Sequence, residues 1–155
     1  MVKRFSFLFA VLIIVCAGMF SGCNHSSDNN DASLIGTWKS VYDEVFVITK
    51  TDFTSKFGDT VFYSGTIKNI RDEGGGAGYI TIQYTECPPA GLGKYYVIHY
   101  KNLTSSSMEL AGAGKVGDPD FDNFAPGGKA KQADAEALYT VQNGYFGVYS
   151  GVSKQ

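Results

Sequence analysis

The chain has 155 residues, about one domain's worth, with 13 basic and 15 acidic residues, a formal charge of -2 and 44% hydrophobic content. These values exclude wholesale disorder, a collagen-like repeat and a polybasic nucleic-acid binder. Nineteen Gly, 10 Tyr and 11 Phe against 4 Pro favour strands joined by tight turns over a helical bundle.

Lys3 and Arg4 precede an apolar run from Phe5 to Phe20, the pattern of a secretory signal peptide, shorter than the roughly 20 apolar residues of a spanning helix. Phe20-Ser21-Gly22-Cys23 resembles the lipobox of bacterial lipoproteins, with small residues before an obligatory cysteine. The resemblance implies that residues 1–22 are removed, that the Cys23 thiol takes a diacylglycerol and that the new amine is acylated. The mature chain is then anchored in a bacterial envelope membrane without spanning it, since each buried methylene contributes about 0.8 kcal/mol. Asn24 in place of Asp after Cys23 points, by the sorting pattern of some bacteria, to the outer membrane. The alternative is an ordinary cleaved signal peptide with Cys23 as a stray thiol.

Loss of Lys3 and Arg4 from the 13 basic residues leaves 11 against 15 acidic, a net charge of -4. Such a surface has no electrostatic reason to bind nucleic acid. Cys16 leaves with the signal and Cys23 is lipidated, so Cys87 alone remains and no intrachain disulfide forms. Beside Pro88-Pro89, Cys87 reads as a partly buried apolar side chain and not a reactive thiol. Residues 23–33 form the lipidated cysteine and a polar tether, reaching at most about 33 Å. His25 within it is solvated.

The folded domain, 34–155, reads mainly as strands. Expected strands are Ile35–Tyr42, Glu44–Lys50, Asp52–Phe57, Thr60–Ile70, Tyr79–Glu86, Tyr95–Lys101, Ser107–Gly112 and Gly144–Ser150. Ile80, Ile82 and Tyr84 alternate onto one face of their strand; Tyr96, Ile98 and Tyr100 share a face of theirs. Gly58-Asp59 reads as a tight turn, 71–78 as a glycine-rich hairpin loop and 88–93 as a longer loop. Gly114–Gly128 reads as surface loop, and Lys129–Val141, with Ala, Leu and Val at helical spacing, as the one helix. Sequential strands with short connections predict an antiparallel up-and-down barrel of about eight strands with one C-terminal helix.

Gly36-Thr37-Trp38 at the start of the first strand resembles the Gly-X-Trp signature of lipocalins and related calycin barrels. The resemblance covers 34–155 by element order and implies that Trp38 closes the floor of a lipocalin-like barrel. The family's late Arg has no counterpart, since Arg71 is the sole mature Arg. The domain is therefore lipocalin-like without belonging to the core family.

Chemical motifs are weak. Gly112-Ala113-Gly114-Lys115-Val116-Gly117 has the letters of a dinucleotide loop, but Asp118-Pro119 follows where a helix is needed. Asp118, Asp120 and Asp122 have the spacing of calcium-loop ligands, yet Asn123 and Lys129 stand where Gly and Glu are required. His99, the sole histidine of the folded part, has no partner His or Cys for zinc and no visible triad. The expectation is no enzyme, no metal and no cofactor. Two functions remain: a barrel that binds a small apolar or amphipathic ligand through Tyr63, Tyr84, Tyr96 and Tyr100, or a solid barrel acting as a non-catalytic structural or protein-interaction module.

Overall fold

A computed structural model describes residues 33–87, 89–118 and 127–155. Eight antiparallel strands close into a barrel in sequence order: β1 (Gly36–Ser40), β2 (Glu44–Ile48), β3 (Asp52–Phe57), β4 (Thr60–Gly74), β5 (Ala77–Glu86), β6 (Tyr95–Lys101), β7 (Ser107–Gly112) and β8 (Ser150–Lys154). A single α-helix among the described residues, α1 (Gln132–Leu138), lies between β7 and β8, and a 3-10 turn, Pro89–Gly91, lies between β5 and β6. Trp38 opposite Lys154 and Ser40 opposite Val152 join the last strand to the first. Closure leaves no unpaired sheet edge. Among the described residues, the buried hydrophobic core runs from Trp38 to Val152.

Side-chain alternation fills the interior. Trp38, Phe46, Ile48, Phe53, Ile80, Ile82, Tyr84, Ile98, Tyr100, Met108, Leu110 and Val152 form one inward cluster. Glycines sit where rings need room: a Cβ at Gly78 or Gly112 would come within 2.6 Å of the Tyr100 or Tyr96 hydroxyl respectively. The expected loop at 71–78 is instead strand. Arg71 pairs with Tyr79 and Gly74 with Ala77, leaving a two-residue turn. Gly75 and Gly76 there have φ of 62° and 74°, the two left-handed residues that a tight primed turn requires. Bulges bend β4, the longest strand, around the barrel wall.

Two further expectations need correction. The helix is shorter than Lys129–Val141 because its flanks are engaged elsewhere. Lys129 exchanges both backbone hydrogen bonds with Tyr95, and the Asn143 amide donates to the Ala137 and Leu138 carbonyls at 3.1 and 2.8 Å, closing the C-terminal end. The last strand is Ser150–Lys154, not Gly144–Ser150. Tyr145 and Phe146 instead join a second cluster outside the barrel with Tyr79, Val97, Ala111, Ala113, Ala135 and Tyr139. Phe146 takes a left-handed φ of 66° to do so, a strained conformation for a bulky residue.

Strand direction gives the barrel two different ends. Ser33, the chain's C-terminus and the β2–β3, β4–β5 and β6–β7 turns stand at one, the tether end. The β1–β2, β3–β4, β5–β6 and β7–β8 connections stand at the other, the loop end.

Candidate functional site

Trp38, expected at the floor, is fully buried at the tether end. Its indole N–H donates to the Leu34 carbonyl at 3.0 Å, and the Lys154 ammonium stands 5.1 Å from the ring centroid. Gly36 is small for a local reason, since a Cβ there would meet the Lys154 side chain at 2.7 Å.

The four tyrosines separate into two places. Tyr63 on β4, Tyr84 on β5 and Tyr96 on β6 meet at the loop end. Their ring centroids lie 5.7 Å (Tyr63–Tyr84), 5.8 Å (Tyr63–Tyr96) and 5.3 Å (Tyr84–Tyr96) apart. Phe53 stacks beneath Tyr63 at 5.9 Å, and Tyr139 abuts Tyr96 at the same separation. Tyr96 donates its hydroxyl to the Ala113 carbonyl at 2.8 Å. Tyr84 is buried, and Tyr63 and Tyr96 are half-buried. Tyr100 is near the opposite end, packed over Gly78.

Burial pushes the phenols of Tyr63, Tyr84 and Tyr96 well above the ordinary tyrosine value. They stay protonated and can offer hydroxyl handles inside an aromatic surround, but not phenolate bases. Cys87 packs beside this cluster, half-buried; burial also raises its thiol, against the opposing influence of the Gly91 backbone and Lys94. A raised thiol is a poor nucleophile at neutral pH.

His99 lies on the outward face of β6, buried beneath the chain that leads into β8. Tyr79, Phe146 and Tyr149 surround it at 4.6, 5.5 and 5.7 Å between centroids. The Tyr149 hydroxyl lies 2.9 Å from Nδ1. Burial holds the imidazole below its ordinary 6.5; Glu73 opposes this, while Lys101 and Arg71 add to it. The folded state thus resists protonation that the unfolded chain accepts. Stability from this group is complete above pH 6.5 and falls as the pH drops below that value. Denaturant midpoints measured from pH 7.5 to 5 should therefore decline for the native chain, with a slope of at most about 1.4 kcal/mol per pH unit from His99. His99→Gln should flatten that region of the profile, and an unchanged decline would exclude His99 as its source.

The sequence signals missed here were the aromatic run Tyr145, Phe146 and Tyr149 and the apolar content of both faces of β6. Together they mark a strand covered on two sides. The covering helix is fastened to β4 by Asn69, which donates to the Glu136 carboxylate at 3.1 Å, and Gln132, one turn earlier in the same helix, donates to that carboxylate at 2.9 Å. Burial opposes ionisation of Glu136, but hydrogen bonds from Gln132, Asn69 and Thr81 and the charge of Arg71 outweigh it.

The glycine motif does not open a helix; β7 ends at Gly112 and a turn follows, in which Asp118 N–H donates to the Lys115 carbonyl at 3.0 Å. Asp120 and Asp122 of the calcium-like triplet lie outside the described residues. Among the described residues, no three His, Cys, Asp or Glu side chains are grouped to hold a metal ion, and no helix is long and apolar enough to cross a membrane.

Exposed apolar side chains gather at the loop end. Val41 and Tyr42 occupy the β1–β2 turn at 88% and 76% exposure, Phe57 and Phe62 flank the β3–β4 turn, and Leu92 stands in the β5–β6 connection. The Phe57 and Phe62 rings lie 6.3 Å apart, and Gly58 N–H donates to the Asp43 carbonyl, joining the first two turns. Compared with known protein families, curated proteins and solved structures, the chain matches none.

Proposed function

We propose that the chain is a lipid-anchored bacterial envelope protein, delivered to the outer membrane, whose lipocalin-like barrel works by binding and not by catalysis. The barrel serves as a packed scaffold that presents its loop end to a protein partner. The observation carrying this reading is the contrast between the two ends. The tether end holds buried Trp38, and the Lys154 ammonium donates to the Ser33 carbonyl at 3.1 Å, at the last residue of the proposed tether. The loop end carries Val41, Tyr42, Phe57, Phe62 and Leu92 in solvent. An anchor at Cys23 would hold the first end toward the membrane and leave the second available. Exposed apolar side chains clustered in this way are a common mark of interaction sites.

In-host photo-crosslinking at Tyr42 tests the reading. A partner should be captured by the native chain and lost when Phe57→Ser and Phe62→Ser are combined. Capture that survives both changes would remove the loop end from the interface. The anchor is tested separately: Cys23→Ser should leave an uncleaved precursor that takes up no labelled fatty acid, and normal labelling would rule the anchor out.

A second reading is favoured by the half-buried state of Tyr63 and Tyr96 at the loop end. There a small apolar or amphipathic molecule would enter among Tyr63, Tyr84 and Tyr96, meeting ring faces and protonated hydroxyls. Native mass spectrometry of the de-lipidated domain purified from its own host, searching for a co-purifying small molecule, distinguishes this reading from the first.

A further inference from the structure

A groove of about 370 Å³ runs between the chain leaving β7 and the chain entering β8. Gly112, Gly114, Gly144 and Gly147 line it, with Lys115, Val116 and Val148. Its volume falls within the range of small-molecule sites, roughly 300–1,000 Å³. Neither the interaction surface nor the tyrosine cluster described above uses it.

Its chemistry is specific. Val116 and Val148 are 84% and 81% exposed, a costly display of apolar surface for two residues that border one depression. At Gly147 a Cβ would meet nothing within 4 Å, so the absence of a side chain there leaves open space beside the groove. The one charged side chain in the lining is Lys115. Its ammonium donates to the Asn143 carbonyl at 2.9 Å and lies 5.7 Å from the Tyr145 ring centroid. An ammonium has three donors, so two remain for a ligand while the first keeps the lysine in place. The nearby Asp118 carboxylate accepts from the Tyr145 hydroxyl at 3.0 Å.

We propose that this groove binds a small single-chain amphiphile bearing one anionic group: the chain lies in the groove between Val116 and Val148, and the anion meets Lys115. The site lies on the outside of the barrel mouth, not in the lumen. Gly112 and Gly114 of the sequence motif then have a role unrelated to nucleotides, as part of the groove lining with the Lys115 cation at its edge.

Decanoate and decanol are suitable probes, titrated into the chain from Asn24 to Gln155 and followed by backbone amide shifts. Decanoate should bind saturably and move the amides of Gly112, Gly114, Lys115, Gly144, Gly147 and Val148. Lys115→Met should weaken decanoate about tenfold, the effect of removing one charged hydrogen bond, and leave decanol unchanged. A Cβ at Gly147 meets nothing within 4 Å, so Gly147→Phe can be accommodated and should fill the groove and abolish both interactions. Tyr63→Phe should change neither. Absence of saturable binding, or binding that survives both Lys115→Met and Gly147→Phe, would overturn the proposal. Shifts confined to the lumen tyrosines would overturn it in favour of the lumen reading.

Discussion

Trp38→Ala is expected to lower stability by about 3–5 kcal/mol, the range for truncating a large core aromatic. The side chain is fully buried, sits opposite Phe46 in β2 and Lys154 in β8, and so bridges the seam that closes the barrel. Truncation opens a cavity at that seam and leaves the Leu34 carbonyl without its 3.0 Å donor. Urea unfolding with an unchanged m-value measures the loss. Because Trp38 is the only tryptophan, native fluorescence reports this site alone. Emission at the solvated wavelength before denaturant is added would contradict the buried floor. Trp38→Phe should lose less, keeping most of the apolar ring while surrendering the indole hydrogen bond.

Tyr100→Ala is the second large effect, also about 3–5 kcal/mol for a filled interior. Tyr100 is buried with Gly78 facing it across β5 and Leu110 across β7. Its hydroxyl occupies the place a Cβ at Gly78 would need. The same geometry predicts coupling. Gly78→Ala alone collides with both the Tyr100 hydroxyl and the Arg71 carbonyl; in the Tyr100→Ala background only the backbone collision remains. A double-mutant cycle should therefore show the second change costing less than it does alone. A small loss in Tyr100→Ala, below about 1 kcal/mol, together with weakened binding of an apolar ligand, would mean that this end is an open pocket and not packed core.

The barrel was legible in the sequence because alternation and turn chemistry are local. Ile80, Ile82 and Tyr84 had to share one face of β5, and Tyr96, Ile98 and Tyr100 one face of β6, and pairing of the two strands turns both faces inward. With strands following one another at short spacing, an up-and-down closure was the economical outcome, and Gly36-Thr37-Trp38 marked its first strand. The expected tyrosine set, however, mixed two neighbourhoods: alternation gives the face of a strand but not the position along it, so Tyr100 was grouped with three residues that meet at the other end.

What lay beyond the sequence was decided by long-range competition. Residues 145–149 have the aromatic content of a strand, yet Tyr145 and Phe146 bury more by covering the outside of β5 and β6, and Ser150–Lys154 closes the sheet instead. Lys129 has good helical neighbours, yet its backbone pairs with Tyr95. His99 looked solitary because the groups that surround it come from β5 and from a segment about 50 positions away. The periodicity of this chain determined which residues face inward. Only the closed barrel, by bringing β8 against β1 and folding the β7–β8 connection onto the outer wall, decided which outward faces were also buried, since that choice depends on burial gained between segments that share no local pattern.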